Sequence, residues 1–142
     1  MQRRAFIKSS CNICTLLTAG ALLSTLSGCS PAYKVISSEI HNDQVEVPLA
    51  GFAQSPLLLV RPKGWLYSIA VRKKDDNSYS ALLLKCTHQD NQLTAATNGY
   101  SCSLHGSTFN TTGRVIKGPA ERPLKEYAVT TDVANLIIHL KA

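Results

Sequence analysis

Cys86-Thr87-His88 and, after thirteen intervening residues, Cys102-Ser103-Leu104-His105-Gly106-Ser107 are the stretches on which the reading of this 142-residue chain turns. Each sets a thiol and an imidazole close together in a loop-forming sequence, and four such side chains on two short loops make a metal site. Tetrahedral zinc accepts the same donors, but structural zinc sites usually space Cys with Cys and His with His, whereas both pairs here are mixed. A Cys86–Cys102 disulfide, which an oxidising compartment permits, leaves both histidines and the Gly106-Ser107 continuation unexplained.

The chain begins Met1-Gln2-Arg3-Arg4-Ala5-Phe6-Ile7-Lys8, basic and without an acidic residue, and continues apolar and Ser/Thr-rich from Cys11 to Leu26. That order reads as an export signal over residues 1–28 rather than a domain element. The apolar run is shorter than the roughly twenty residues a spanning helix needs and is broken by Gly20, Ser24 and Thr25, so a membrane helix is the weaker alternative. Cys11 and Cys14 fall inside the signal and are set aside with it. From Cys29 onward there remain 12 Lys+Arg, the chain's 15 less Arg3, Arg4 and Lys8, against 9 Asp+Glu. A balance of +3 is too mild to argue for nucleic acid.

Ser30 to Asn42 is polar with scattered apolar residues, and the reading makes residues 29–44 a tether ahead of one domain over 45–142. Within the domain Val45 and Val47 alternate with polar neighbours, and Leu57 to Val60 is an apolar run bracketed by Pro56 and Pro62. Trp65 to Val71 and Tyr79 to Lys85 flank a charged turn at Asp75-Asp76-Asn77, while Tyr127 to Thr130 and Asn135 to Leu140 flank Asp132-Val133-Ala134. Gly99-Tyr100-Ser101 is a further short strand. No long amphipathic helical period occurs outside the signal, so the domain is predicted to be mainly β. His41 in the tether and His139 in a terminal strand are read as ordinary surface or edge residues.

The Cys-x-His and Cys-x-x-His pairs, the continuation Gly106-Ser107-Thr108-Phe109-Asn110, and Gly118-Pro119-Ala120 together resemble the Rieske [2Fe–2S] proteins. The resemblance covers about residues 45 to 140 and implies stacked small antiparallel sheets with an inserted cluster-binding subdomain at about 85–117. It implies one [2Fe–2S] cluster per chain, with Cys86 and Cys102 on one iron and His88 and His105 on the other. Ser107, Phe109 and Pro119 are expected around the cluster. Two departures go with it: Asn91 and Leu104 stand where high-potential members carry a linking disulfide, and Phe109 stands where they carry a tyrosine. The implied function is one-electron transfer at low-to-intermediate potential between redox protein partners. That makes the chain a carrier or an oxidoreductase subunit rather than a stand-alone enzyme. The alternatives are a subunit of a quinol-oxidising or other respiratory complex and, from another class, a zinc-stabilised lipoprotein.

Two resemblances concern the beginning of the chain. Arg3-Arg4-Ala5-Phe6-Ile7-Lys8 resembles the twin-arginine export signature, a route that carries folded proteins and so suits a cluster inserted before export. Leu26-Ser27-Gly28-Cys29 resembles a lipobox, which implies lipidation of Cys29 and a membrane anchor worth about 0.8 kcal/mol per buried methylene. Ser30 after it favours the outer over the inner membrane, so the expected location is the periplasm-facing side of a bacterial cell envelope.

Overall fold

Leu57-Leu58-Leu59-Val60 is apolar at every position because the strand it forms is covered on both faces, and successive side chains of a strand point opposite ways. Leu57 and Leu59 join one buried cluster with Ala70, Leu82 and Leu84, and Leu58 and Val60 join a second with Ile69, Val71 and Ala81. Neighbouring strands thus sort their residues onto the same two faces. The structure, a computed structural model, describes residues 33–141. The expected signal over 1–28 with Arg3 and Arg4, the expected lipidation residue Cys29, and residues 30–32 lie outside the described residues.

The strands are β1 (Lys34–Ser38), β2 (Gln44–Pro48), β3 (Leu57–Pro62), β4 (Ile69–Lys73), β5 (Tyr79–Leu83), β6 (Thr94–Ala96), β7 (Gly99–Ser101), β8 (Thr108–Phe109), β9 (Val115–Lys117), β10 (Glu126–Thr131) and β11 (Asn135–His139). A seven-stranded sheet runs β1-β3-β4-β5-β10-β11-β2, and a four-stranded sheet runs β6-β7-β8-β9. The small sheet is therefore an excursion between β5 and β10. Its strands run from Thr94 to Lys117, and Ala120 and Leu124 beyond them pack into the same buried cluster as Leu93, Tyr100 and Phe109. Among the described residues no helix is long and apolar enough to cross a membrane.

Residues 34–38, expected within the tether, form β1 instead and pair parallel to β3, from Lys34 opposite Leu58 to Ser38 opposite Pro62. The strand lies at the sheet edge with only Ile36 and Ser38 partly buried, so its sequence shows no clean alternation. Trp65 to Ser68, expected to open a strand, are excluded from it, and β4 begins at Ile69. The Trp65 N–H turns back to the Pro62 carbonyl at 3.1 Å.

Both predicted hairpin turns are built by aspartates. The Asp76 Oδ1 accepts the Ser78 N–H at 2.9 Å, and Asn77 takes a left-handed φ of 60°. The Asp132 Oδ1 accepts the N–H groups of Ala134 and Asn135 at 2.7 Å each, and these two donors hold its carboxyl below the ordinary carboxylate range. Between the sheets, the Arg72 guanidinium on β4 donates to the Ala96 and Thr97 carbonyls of the β6–β7 turn, both at 3.2 Å.

The small sheet is closely packed at Gly99, where φ is +151° and a Cβ would stand 2.2 Å from the Phe109 carbonyl oxygen. Backbone cannot yield as a flexible side chain would. Gly99→Ala is expected to cost about 1–3 kcal/mol or more, read as a lowered urea midpoint, with Gly64→Ala, where nothing lies within 4 Å of the added carbon, as the uncrowded comparison.

Candidate metal centre

The first loop leaves the end of β5 through a narrow neck. The Leu93 N–H donates to the Leu84 carbonyl at 2.9 Å, Lys85 and Gln92 form an isolated bridge, and the Cys86 N–H donates to the Asn91 carbonyl at 2.8 Å. Residues 87–90 are thereby held out as a loop. Its tip is braced from the β3–β4 connection, where the Tyr67 hydroxyl donates to the Asp90 carbonyl at 2.8 Å and the Ser68 N–H donates to Gln92 Oε1 at 3.0 Å. The Lys85 ammonium sits 2.8 Å from the Asp90 carboxylate, which raises its pKa above the usual lysine value.

The second loop follows β7 and closes on itself. The Cys102 N–H donates to the Ser107 carbonyl at 2.8 Å and the Gly106 N–H to the Cys102 carbonyl at 3.0 Å, which leaves residues 103–105 as a turn around the Cys102 side chain. Gly106 sits at φ +77°, a conformation that glycine adopts without penalty. β8 resumes at once, and Asn110 beyond it shapes the next turn, its Oδ1 accepting the N–H groups of Thr112 and Arg114.

All four residues singled out in the sequence come together here. Cys86 and Cys102 are buried, at 1% and 3% exposure, as free thiols within hydrogen-bonding reach of each other. His88 and His105 are exposed, with ring centroids 4.9 Å apart and planes at 83°. Sulfur pairs with sulfur inside the fold, and imidazole with imidazole at its surface. A mononuclear zinc site needs four donors on one centre, whereas a Rieske-type two-iron group takes two cysteines on one iron and two histidines on the other. The donor set fits the second.

The Cys102 thiol is held below the ordinary cysteine range. Burial pushes it up, but the Leu104 N–H, the Asn91 side-chain amide, the His105 N–H and the Cys86 thiol, all directed at its sulfur, outweigh that. A sulfur so surrounded favours the thiolate, the form that binds metal.

A third segment walls the site. Ser107 is fully buried and its Oγ accepts the Ala120 N–H at 3.0 Å, which ties Gly118-Pro119-Ala120 to the second loop. The Thr87 hydroxyl donates to the Arg122 carbonyl at 2.6 Å and ties the same segment to the first loop. Pro119 itself is exposed beside this seam, and Phe109, 1% exposed, lies in the apolar cluster that contains both cysteines. Sequence reading missed Thr87 and Arg122, which lie 35 positions apart, and took Asn91 only as a departure from a family pattern. His139 is engaged elsewhere, 2.9 Å from the Thr130 hydroxyl and 3.3 Å from Gln44; it is partly buried on β11, which pairs with both β10 and β2, so it is not the edge residue expected.

Residues 37–128 match the family model described as the Rieske [2Fe-2S] domain. Among solved structures, the plasma membrane Rieske protein PetC3 from the cyanobacterium Synechocystis PCC 6803 is similar at 26% identity and a TM-score of 0.55, over 64% of this chain and 93% of that one. A chain in the complex of reduced oxygenase and oxidized ferredoxin in carbazole 1,9a-dioxygenase shares the fold at 22% identity and a TM-score of 0.53, over 70% of this chain and 95% of that one. Naphthalene 1,2-dioxygenase does so at 20% identity and a TM-score of 0.50, with 60% of this chain matching 22% of that one. No curated protein sequence matches the chain.

Removing the Ser107 hydroxyl strands a buried N–H. Ser107→Ala is expected to cost about 1–3 kcal/mol, the penalty for an unpaired buried donor. Chemical denaturation of the metal-free chain measures it without interference from a bound group, and a loss within error would mean that the Ala120 N–H finds another partner.

Proposed function

This chain belongs to the Rieske [2Fe–2S] domain family, and we propose that it passes single electrons between partner proteins at the periplasmic face of a bacterial cell envelope, anchored by lipid on Cys29. In this reading Cys86 and Cys102 hold one iron, and His88 and His105 hold the other. The bound [2Fe–2S] cluster supplies a one-electron couple, and the residues around it decide its potential and its access.

The observation that carries the proposal is the division of the four donors: two thiols at 1% and 3% exposure and two imidazoles open to solvent. The buried cysteines, packed among Leu84, Leu93, Tyr100 and Phe109, keep water from the sulfur side. The exposed His88 and His105 offer a partner protein the short approach that electron transfer needs. Neutral imidazoles in place of two thiolates also leave less negative charge around the irons, which eases reduction relative to an all-cysteine site. Against the highest potentials in the family stands Phe109, which keeps the ring but brings no hydroxyl toward a sulfur. The lack of a cysteine at positions 91 and 104, where high-potential members carry a linking disulfide, supports a low-to-intermediate value.

Export and anchoring rest on residues 1–29. Arg3-Arg4 with Phe6 and Lys8 supports transport of a folded, loaded domain, and Leu26-Ser27-Gly28-Cys29 supports lipid attachment, with Ser30 favouring the outer membrane. The described domain begins its first strand at Lys34, five positions after Cys29, so such an anchor would hold the domain close to the bilayer.

Protein produced with intact export is expected to contain about two iron and two acid-labile sulfide per chain and to give the rhombic reduced-state EPR signal of mixed Cys/His ligation. His88→Ala or His105→Ala should abolish that signal, and stoichiometric zinc without sulfide would overturn the assignment. For location, Arg3→Lys with Arg4→Lys should stop export of loaded protein, and Cys29→Ala should release it from the membrane fraction. A Cys29→Ala protein that stayed embedded would point to an uncleaved membrane helix. Gentle detergent extraction followed by co-purification identifies the partners, and recovery within a quinol-oxidising assembly would replace the free-carrier reading by the subunit reading.

A further inference from the structure

We propose that Asn91 is a positioning residue that joins the two ligand loops and raises the reduction potential by donating its side-chain amide to the Cys102 sulfur. The proposal rests on the reading that Cys86 and Cys102 hold the cluster.

Asn91 touches both cysteines with different atoms. Its backbone carbonyl accepts the Cys86 N–H at 2.8 Å, closing the first loop, and its Nδ2 lies 3.6 Å from Cys102 Sγ on the second. The other Nδ2 hydrogen goes to the Gln92 carbonyl at 3.2 Å. That bond settles which way the amide faces. Turned over, Oδ1 would confront two acceptors, the Gln92 carbonyl and the cysteine sulfur, and the amide's donors would be lost to both. Asn91 is half-buried, so the contact with sulfur is partly shielded from competing water.

The effect on potential follows from charge. Reduction adds one electron to the bound group, and a donor hydrogen bond to a ligand sulfur stabilises the more negative state more than the less negative one. The Leu104 and His105 N–H groups act on the same sulfur, but the turn over 103–105 fixes them whatever the side chains are. Asn91 is the donor that a single substitution removes. Losing it also removes the side-chain link from the first loop to the second, so the loops should part more easily and iron should escape faster.

The test uses the full-length loaded protein, with Asn91→Ala, which deletes the donor, and Asn91→Asp, which keeps the shape and presents acceptors only. Protein-film voltammetry reads the midpoint potential, EPR reads the integrity of the cluster, and a chelator challenge reads the rate of iron loss. With a net hydrogen bond worth a factor of roughly three to ten in the one-electron equilibrium, Asn91→Ala should lower the potential by about 28–59 mV, at 59 mV per tenfold. Asn91→Asp should lower it further, since a carboxylate adds negative charge beside the sulfur. Both variants should keep the rhombic signal and lose iron faster. Should the alanine chain load poorly, Asn91→Ser, whose shorter hydroxyl falls short of the sulfur, is read on the same scale. A rhombic signal with potentials unmoved or raised overturns the role of Asn91 alone. A wild-type chain without iron and sulfide overturns both this proposal and the cluster reading beneath it.

Discussion

Cys86 and Cys102 are core residues, and most of the architecture depends on that placement. They belong to the apolar cluster that Leu57, Leu59, Ala70, Leu82 and Leu84 of the large sheet share with Leu93, Tyr100, Phe109, Ala120 and Leu124 of the excursion. The contact that holds the two sheets together is therefore also the contact that buries the thiols. A polar group placed there costs free energy unless it is hydrogen-bonded or coordinated, and the second loop meets that demand by turning its own N–H groups toward the Cys102 sulfur.

The loops that present these cysteines are short and braced on several sides. A loop is usually the mobile part of a fold because its backbone bonds to water. Here the carbonyls of Ser107, Asn91 and Asp90 accept protein donors, as does that of Arg122 in the covering segment. The bracing partners come from the β3–β4 connection and from residues 118–122. The geometry of the two loops is thus set by segments distant in sequence, which suits electron transfer with little rearrangement.

The polarity of the site matters as much as its rigidity. Thiols face inward and imidazoles outward, so one side of the centre is dry and the other is open to a partner. A cleft of about 330 Å³ lined by Lys85, Cys86, Asp90, Arg122 and Lys125 flanks the first loop, so the surface beside the site carries more positive than negative groups.

Spacing singled out Cys86 with His88 and Cys102 with His105 as the candidate donor set, and the flanking strands were visible as largely apolar stretches at 57–60, 79–85 and 135–140. Aspartate-led turns at 75–77 and 132–134 were equally plain, since their chemistry is local. Tertiary structure decided what had no local signal. β1 exists because the edge of β3 offers it hydrogen bonds, not because Lys34–Ser38 favours a strand, and β6, β8 and β9 are too short for two-residue periodicity to register. The same holds within the site: Ser107 to Ala120, Thr87 to Arg122 and Asn91 to Cys102 are pairs 13, 35 and 11 positions apart, and only folding of the two sheets onto one core brings them within hydrogen-bonding distance.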